Sequence, residues 1–214
     1  MSDPSPPARR PGRPRREEAG DIERRLTEAA VHMLVQHGAG VTMNALIAAS
    51  GLSRKTVYAR YPNMSALLLS VLRKLLHFEH APFAVPEGPD WRLRLRDSIR
   101  DLLEEVSQPH AQALRRILMM DSSLFEEVKP QIEQVVVKRY VDPFSGFFTS
   151  LIEDGLIPPQ DTVFAAETLM NIVLMEAQRR FYEGDDSKDP MIFVGNAARL
   201  FCGGLAAELD MLER

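Results

Sequence analysis

The sequence has little of what several protein classes require. It contains a single cysteine, Cys202, so no internal disulfide can form, which is typical of a chain in a reducing cytoplasm. Its longest apolar runs, such as residues 67–69, are far shorter than the roughly 20 residues of a membrane span. Met1 is followed by prolines and arginines rather than by an apolar segment, so no secretory signal is expected. We therefore expect a cytoplasmic protein with no membrane partner.

The motifs of the common enzyme classes are also missing. We find no glycine-rich phosphate loop after a strand, no nucleophile elbow and no set of metal ligands. His77 and His80 have the spacing of two ligands on one helix face, but no third ligand accompanies them. The sequence therefore predicts no catalytic residue, no metal and no cofactor.

Charge is unevenly distributed along a chain whose net charge is -4. Residues 1–62 carry ten Lys and Arg against six Asp and Glu, whereas the remainder carries sixteen against twenty-four. Five of the basic residues lie in the first 16 positions: Arg9, Arg10, Arg13, Arg15 and Arg16. A basic end on an acidic body indicates that one end of the molecule meets phosphates.

The first 20 residues are predicted to form a basic arm. Residues 1–16 contain five prolines and one glycine and show no periodicity, so we expect them to be disordered in the free protein. Their Gly-Arg-Pro core at residues 12–14 resembles the A·T-hook motif, which inserts arginine into a narrow minor groove. The alternative is a solvated tail that adds only nonspecific attraction.

Apolar residues recur at steps of three and four through the rest of the chain. Because no alternating stretch is long enough for a strand, we predict an all-α fold of about nine helices. The first would run from Asp21 to His37. Residues 42–61 then read helix, glycine turn, helix, with Thr42 and Ser53 as caps. Together they form a three-helix unit over residues 21–64 with the helix-turn-helix arrangement.

The helix that begins after Ser53 carries DNA-binding chemistry. Arg54 and Lys55 lie in its first turn, where they can reach base edges in the major groove. Tyr58 and Arg60 can donate to phosphates on either side. The alternative is a helical hairpin with a solvated basic face. The candidate contacts in this segment are Ser53, Arg54, Lys55, Thr56, Tyr58, Ala59 and Arg60.

Residues 65–214 are predicted to form an effector-binding and dimerisation domain. The spacing predicts helices over residues 65–77, 90–106, 109–120, 122–128, 130–153 with a kink at Pro143, 161–182 and 190–212. The apolar faces of the last two could pack against a second chain in a four-helix interface, or only within one chain. The candidate interface residues are Phe164, Leu169, Ile172, Val173, Val194, Ala197, Ala198, Phe201, Gly204, Leu205 and Leu209.

Residues 75–180 are rich in methionine and phenylalanine, which either form an ordinary core or line an apolar cavity with a few polar anchors. The candidate ligand contacts are Phe78, His80, Trp91, Leu95, His110, Leu114, Arg115, Met119, Phe144, Phe147, Phe148, Leu151, Met170, Leu174 and Gln178.

Residues 22–72 resemble the DNA-binding domain of the TetR (tetracycline-repressor-like) family. The resemblance is carried by Ile22, Ala29-Ala30, Gly38, Thr42, Leu46, Ser50-Gly51-Leu52-Ser53, Thr56-Val57-Tyr58, Arg60-Tyr61-Pro62-Asn63 and Ala66-Leu67-Leu68. It implies that Thr42, Thr56, Tyr58 and Tyr61 are phosphate-contact and packing residues and that Arg54, Lys55 and Ala59 read bases. One departure is Met64, which stands where the family commonly has lysine at the start of the fourth helix.

The resemblance also implies a homodimeric regulator that binds a palindromic operator in double-stranded DNA, most often as a repressor. A small apolar or amphipathic effector would bind among the central helices, move the helix at residues 65–77 and change the separation of the two recognition helices. The alternative function is a helical adaptor that binds proteins without specific DNA binding. Such an adaptor would not need the arginine arm or the helix after Ser53.

Overall fold

The computed structural model describes residues 16–76, 81–183 and 189–206, and all regular structure in these ranges is helical. The elements are α1 (Arg16–His37), a single 3-10 turn (Gly38–Gly40), α2 (Met43–Ser50), α3 (Arg54–Tyr58), α4 (Met64–Leu76), α5 (Trp91–Val106), α6 (Pro109–Met120), α7 (Ser122–Val136), a π turn (Val137–Val141), α8 (Asp142–Glu153), α9 (Thr162–Glu183) and α10 (Pro190–Leu205). α7, the π turn and α8 follow one another without a gap and form one continuous helix. Counted in this way, the described ranges contain nine helices. The predicted all-α fold is confirmed.

Polar caps start several helices where the sequence predicts. The Thr42 hydroxyl accepts from the Ala45 amide at 3.3 Å at the start of α2. The Asp90 carboxylate accepts from the backbone N–H of Arg92 at 2.9 Å in α5. Each cap satisfies a backbone donor that the first helical turn leaves unpaired.

Two predicted helix ends are wrong. α1 begins at Arg16 rather than at Asp21, so Arg16 belongs to a helix and not to the arm. The sequence after Arg16 is Glu-Glu-Ala, and these residue types have high helix propensity, which favours the earlier start. α3 ends at Tyr58 rather than at Tyr61. Pro62 explains why the helix does not include Tyr61, since proline disfavours helical geometry in the residue before it.

The predicted break before Pro130 is also wrong, because α7 continues through that residue to Val136. The irregularity lies instead at the π turn, just before Pro143 in α8. Proline has no N–H and its ring collides with the carbonyl four residues earlier, which is that of Arg139. The N–H of Phe83 bonds to this carbonyl at 2.8 Å, so a segment outside the helix takes up the acceptor.

Two apolar clusters hold the helices together. The first, here called the reading core, is built by α1 to α4 and includes Ala113 and Ile117 of α6 and Leu124 and Val128 of α7. The second, here called the effector core, is built by α5, the π turn, α8, α9 and α10, with Phe83. Apolar packing therefore crosses the domain boundary predicted after residue 64.

Among the described helices, none combines the length and the apolar character needed to cross a membrane.

Candidate nucleic-acid interface

The turn between α2 and α3 is held by α1. Gly51 ends α2 with φ 64°, in the left-handed region that favours glycine. Arg25 of α1 donates from Nε and Nη2 to the Ser50 carbonyl, at 3.1 and 2.8 Å. A β-carbon at position 51 would lie 2.9 Å from Arg25 Nη2. The turn thus requires glycine for its backbone angle. Arg25 packs closely against it, a role that helical spacing alone did not reveal.

The start of α3 is closed by its own hydroxyls. Ser53 Oγ accepts from the Thr56 amide at 3.0 Å and lies 2.8 Å from Thr56 Oγ1. One turn further on, Val57 is completely buried in the reading core. Capping and burial together set which side of this short helix faces outward.

The outward side of α3 presents the predicted DNA contacts. Arg54, Lys55 and Ala59 are exposed, and Tyr58 is 46% exposed although its ring is large and apolar. Thr42 is exposed as well, whereas Thr56 and Arg60 are half-buried. By contrast, Arg24 on α1 is paired with Asp21 at 2.6 Å and with Glu28 at 3.0 Å, so its charge is locally balanced.

Tyr61 does not belong to this outward surface. It is only 9% exposed, it packs in the reading core, and its hydroxyl lies 3.1 Å from that of Ser70 in α4. Its placement among the DNA contacts is corrected accordingly: Tyr61 positions the end of the α3 segment against α4. The resemblance had left packing open as one of its two roles.

The start of α4 shows how the chain accommodates Met64. Asn63 Oδ1 accepts from the Ala66 amide at 2.8 Å and so caps the helix. Met64 is half-buried and packs against the reading core. An apolar contact therefore occupies the position where the resemblance led us to expect lysine.

The predictions for the arm remain predictions. Arg9, Arg10, Arg13 and Arg15 lie outside the described residues, and Arg16 is the first residue of α1.

α4 is tied to the junction of α6 and α7. The Ser65 hydroxyl donates to Asp121 at 3.2 Å, and Arg73 pairs with Glu127 of α7 at 2.6 Å. Asp121 also accepts from the hydroxyl and amide of Ser123, at 2.6 and 3.0 Å, and these bonds hold the pKa of its carboxyl below its ordinary value. The helix that follows the DNA-reading unit is thus fastened to helices that reach the rest of the molecule.

The predicted dimer residues are divided between the interior and the surface. Phe201 and Leu205 are largely buried but line an apolar groove at the surface. Five others are buried in the effector core of their own chain and line no such groove: Leu169, Val173, Val194, Ala197 and Ala198. Their assignment to the interface is corrected, because packing of α9 and α10 on α5 and α8 covers them. Phe164 and Gly204 are exposed, Ile172 is half-buried, and Leu209 lies outside the described residues.

Large apolar side chains lie exposed on the opposite side of α9 and α10, and of these only Phe164 was among the predicted interface residues. Phe164, Met175 and Leu200 are 66%, 64% and 67% exposed. Beside them runs a groove of about 430 Å³, lined in part by Thr168, Ile172 and Gly204. Helical spacing included Phe164, Ile172 and Gly204 of this surface but missed Met175 and Leu200, because apolar residues lie on more than one side of both helices.

A cleft of about 560 Å³ opens where α5 and α6 meet the end of α9 and the start of α10. Its apolar lining is Leu103, Ala177, Phe181, Pro190, Met191 and Val194, and its polar lining is Arg100, Glu104, Ser107, Gln112 and Arg180. Arg100 is paired with Asp101 at 2.9 Å, and Arg180 is paired with Glu176 at 2.8 Å. The cleft is therefore amphipathic, with both arginine charges compensated.

None of the described ligand candidates lines this cleft. Leu95, Phe144, Phe148 and Leu151 are fully buried in the effector core, and Trp91, Phe147 and Met170 are nearly so. Leu114 packs against the reading core, Met119 and His110 are exposed, and Arg115, Leu174 and Gln178 are half-buried elsewhere. Phe78 and His80 lie outside the described residues. Most of the aromatic candidates are core because close packing fills the space between the central helices.

Two family models match the chain. Residues 26–71 match the model of bacterial regulatory proteins of the tetR family. Residues 94–191 match the C-terminal domain of AefR-like transcriptional repressors. Together these segments hold 144 of the 214 residues. No curated protein matches the chain in sequence.

Solved structures share the fold at low identity. A bacterial regulatory protein of the tetR family from Rhodococcus RHA1 is 16% identical, with a TM-score of 0.62 over 87% of this chain and 98% of that one. FadR from Bacillus halodurans, a fatty acid degradation regulator, is 19% identical, with a TM-score of 0.56 over 87% and 97%. NalD from Pseudomonas aeruginosa, the secondary repressor of the MexAB-OprM multidrug efflux pump, is 16% identical, with a TM-score of 0.59 over 88% and 99%.

The two matched segments include the elements described above: the capped α2–turn–α3 unit lies in the first, and most of the effector core lies in the second. This chain belongs to the TetR family of transcriptional regulators, and it is a DNA-binding regulator rather than an enzyme.

Proposed function

We propose that the chain is a repressor that binds operator DNA as a homodimer and leaves it when a small amphipathic molecule occupies the cleft. The observation that carries the DNA part is the two-sided character of α3, on which Val57 is fully buried while Arg54 and Lys55 are exposed. A helix anchored on one side and cationic on the other can enter the major groove without disturbing the reading core. Exposed Tyr58 lies on the same short helix and can donate to a phosphate.

The test of DNA binding is a gel shift with the DNA upstream of the protein's own gene. Lys55→Ala should weaken binding by about tenfold, and Arg54→Ala by at least as much, since loss of a base contact costs about 1–3 kcal/mol. Lys138→Ala is the matched control, because Lys138 is an exposed lysine in the π turn, at a distance along the chain from α3. Equal binding by the Lys55 and Lys138 variants would remove α3 from the interface. A folded protein that gives no shift at low salt would favour the helical adaptor.

The exposed surface of α9 and α10 supports the homodimer. Phe164 and Leu200 flank the apolar groove, and each would lose its exposure if a second copy placed its own α9 and α10 there. Two copies would also present two α3 helices to one DNA duplex, which a palindromic operator requires. Large apolar groups concentrated on one side of a helix pair are typical of a protein interface.

The homodimer is tested by analytical ultracentrifugation of two variants, each of which replaces an exposed leucine by glutamate. Leu200→Glu should produce monomers, because dimerisation would bury a carboxylate without a partner. Leu93→Glu is the control, because Leu93 is also exposed but lies on α5. A dimer that survives Leu200→Glu and Phe164→Glu would place the interface elsewhere.

Three features of the cleft support its proposed role as the effector site. Its volume of about 560 Å³ lies within the range of small-molecule sites, about 300–1,000 Å³. It combines an apolar wall with a few polar groups, which is the pattern that orients an amphipathic molecule. It also lies against α6, which packs on α1 and joins the α7 end to which α4 is tied. Release of DNA requires that the effector bind the state with displaced α3 helices more tightly than the DNA-bound state.

The proposal of a repressor is supported by the family model for AefR-like transcriptional repressors and by the structural similarity to NalD, a secondary repressor. A reporter gene placed downstream of the bound DNA tests whether the protein represses or activates transcription. Deletion of the regulator should raise expression of the reporter, whereas a fall would identify an activator.

A further inference from the structure

We infer that Arg116 of α6 transmits occupancy of the cleft to the DNA-reading unit, by joining Phe181 in the cleft wall to Gly38 at the end of α1. The inference rests on the proposed role of the cleft as the effector site. The contact Phe181–Arg116–Gly38 is called the arginine bridge below.

The first half of the arginine bridge is a cation–π contact. The Cζ atom of Arg116 lies 4.0 Å from the centroid of the Phe181 ring. Phe181 belongs to α9 and lines the cleft, so its ring serves as a wall of the cleft and as a support for the guanidinium. An arginine over an aromatic face is held by the negative potential of that face, and the attraction is lost when the ring turns away.

The second half is a close approach to the backbone. A β-carbon built on Gly38 would overlap with Nη1 of Arg116 and would lie 3.3 Å from its Cζ. Gly38 is buried, has φ 60° and directly follows α1. The guanidinium therefore rests against the C-terminal end of α1, where the helix dipole places partial negative charge.

The cation is placed by these contacts rather than by an ion pair in the described part of the chain. Nε of Arg116 is buried and has no hydrogen-bond partner among the described residues. Because no hydrogen bond from Nε holds the guanidinium, its position depends on the ring and on the end of α1. A small displacement of either neighbour should move it.

α6 provides a second connection between the arginine bridge and the cleft. Gln112 lines the cleft, and its side chain donates to the Ser107 carbonyl at 2.7 Å. Residues four apart are neighbours on one side of a helix, so Arg116 lies one turn beyond Gln112. An occupant that packs on Phe181 and Gln112 thus acts on both the ring and the helix that hold the guanidinium. The expected consequence is that Arg116 leaves Gly38 and the end of α1 loosens.

A covalent probe can occupy the cleft without knowledge of the natural effector. In a Cys202→Ala background, Ser107→Cys places one thiol in the cleft, which is then labelled with benzyl methanethiosulfonate. Labelling with methyl methanethiosulfonate is the size control. The readout is amide hydrogen exchange at residues 34–41. The benzyl label should speed this exchange on the order of fivefold, whereas the methyl label should leave it within about twofold.

Arg116→Met makes the test specific to the arginine bridge. Without any label it should speed exchange at residues 34–41 by a similar factor, and benzyl labelling should then add less than about twofold. Phe181→Leu keeps an apolar wall but removes the ring, and it should change hydrogen exchange at residues 34–41 in the same way. It is the alternative variant if Arg116→Met does not fold. The matched control is Arg92→Met, because Arg92 also lies over a ring, that of Trp91 at 4.4 Å, yet neither belongs to the reading core.

A benzyl effect of equal size with and without Arg116, or no benzyl effect at all, would overturn the inference. The gel shift distinguishes its failure from that of the proposed function. A chain that binds its upstream DNA but shows no exchange response retains the function and loses the arginine bridge. A chain that shows the exchange pattern but binds no DNA retains the bridge and loses the function.

Discussion

The reading core and the effector core are built from helices of different kinds. In the reading core, α2 and α3 are only eight and five residues long, and polar caps, Gly51 and Pro62 mark their ends. In the effector core, α9 and α10 are 22 and 16 residues long, and apolar residues lie on several sides of each. The caps of these short helices allow their starts and their outward side to be predicted from the sequence, although the end of α3 lies earlier than predicted. For a long helix with apolar residues on several sides, the sequence predicts that a helix forms but not which side is buried.

The largest effect is expected from a cavity in the effector core. Phe144 is completely buried there, so Phe144→Ala should lower the free energy of unfolding by about 4 kcal/mol in urea denaturation. Leu156→Ala is the control, because Leu156 is half exposed, and its effect should be about 0.5 kcal/mol or less. Similar losses for the two variants would mean that the effector core is loosely packed.

A smaller effect is expected from the buried charge of the same core. Glu176 accepts from Arg179 and Arg180 at 2.8 Å, so Glu176→Gln should cost about 2 kcal/mol. Burial of the Glu176 carboxyl raises its pKa, but the bonds to the two arginines outweigh burial and the net pKa is lowered.

The lowered pKa fixes the sign of the pH dependence. The contribution of Glu176 to stability is present above its ordinary pKa of 4.5 and is lost as pH falls through the lower folded value. The difference between the wild type and Glu176→Gln should therefore shrink below pH 4.5 in urea titrations. Glu153→Gln, at an exposed position, should change stability little. A difference that grows on acidification would contradict the assignment.

The turn of the reading unit should respond to a single methyl group. Gly51→Ala places a β-carbon in left-handed geometry and against Arg25, which should cost about 1–2 kcal/mol and weaken DNA binding. Gly146→Ala is the matched control: Gly146 is exposed in α8 with open space around it, and alanine there should stabilise the protein by about 0.8 kcal/mol. Thermal melts of the two variants should shift in opposite directions.

The smallest effect is expected where α4 meets α7. Arg73 and Glu127 are about half exposed, so their ion pair should contribute about 0.5 kcal/mol or less. A double-mutant cycle with Arg73→Ala and Glu127→Ala measures the coupling, which should vanish in 1 M salt. A coupling that persists in high salt would show that α4 is fixed to α7 more firmly than an exposed pair allows.

Sequence patterns located the outward chemistry of the reading unit but not that of the effector domain. Arg54, Lys55 and Tyr58 are exposed as predicted. α3 is only five residues long, so burial of Val57 on one side leaves the other side facing solvent. Tyr61 was misplaced because its burial depends on α4, whose Ser70 hydroxyl lies 3.1 Å from the Tyr61 hydroxyl. Arg25 escaped notice because its carbonyl partner lies 25 residues away.

In the C-terminal domain, periodicity mixed residues that the chain buries itself with residues that remain at the surface. Leu169 and Leu200 have the same side-chain chemistry, yet one is fully buried and the other is 67% exposed. Only the positions of α5 and α8 decide between them. The cleft depends in the same way on four helix ends that meet from distant parts of the chain.

Local patterns determined the helical class of this chain, most helix starts, the glycine turn and the cationic side of α3, since these depend on interactions within a few residues. The tertiary structure decided which side of α9 and α10 stays uncovered, where a cleft remains, and that Arg116 lies between Phe181 and Gly38. Those outcomes depend on how long helices fill the space between them, and contacts between residues far apart in sequence leave no periodic signal.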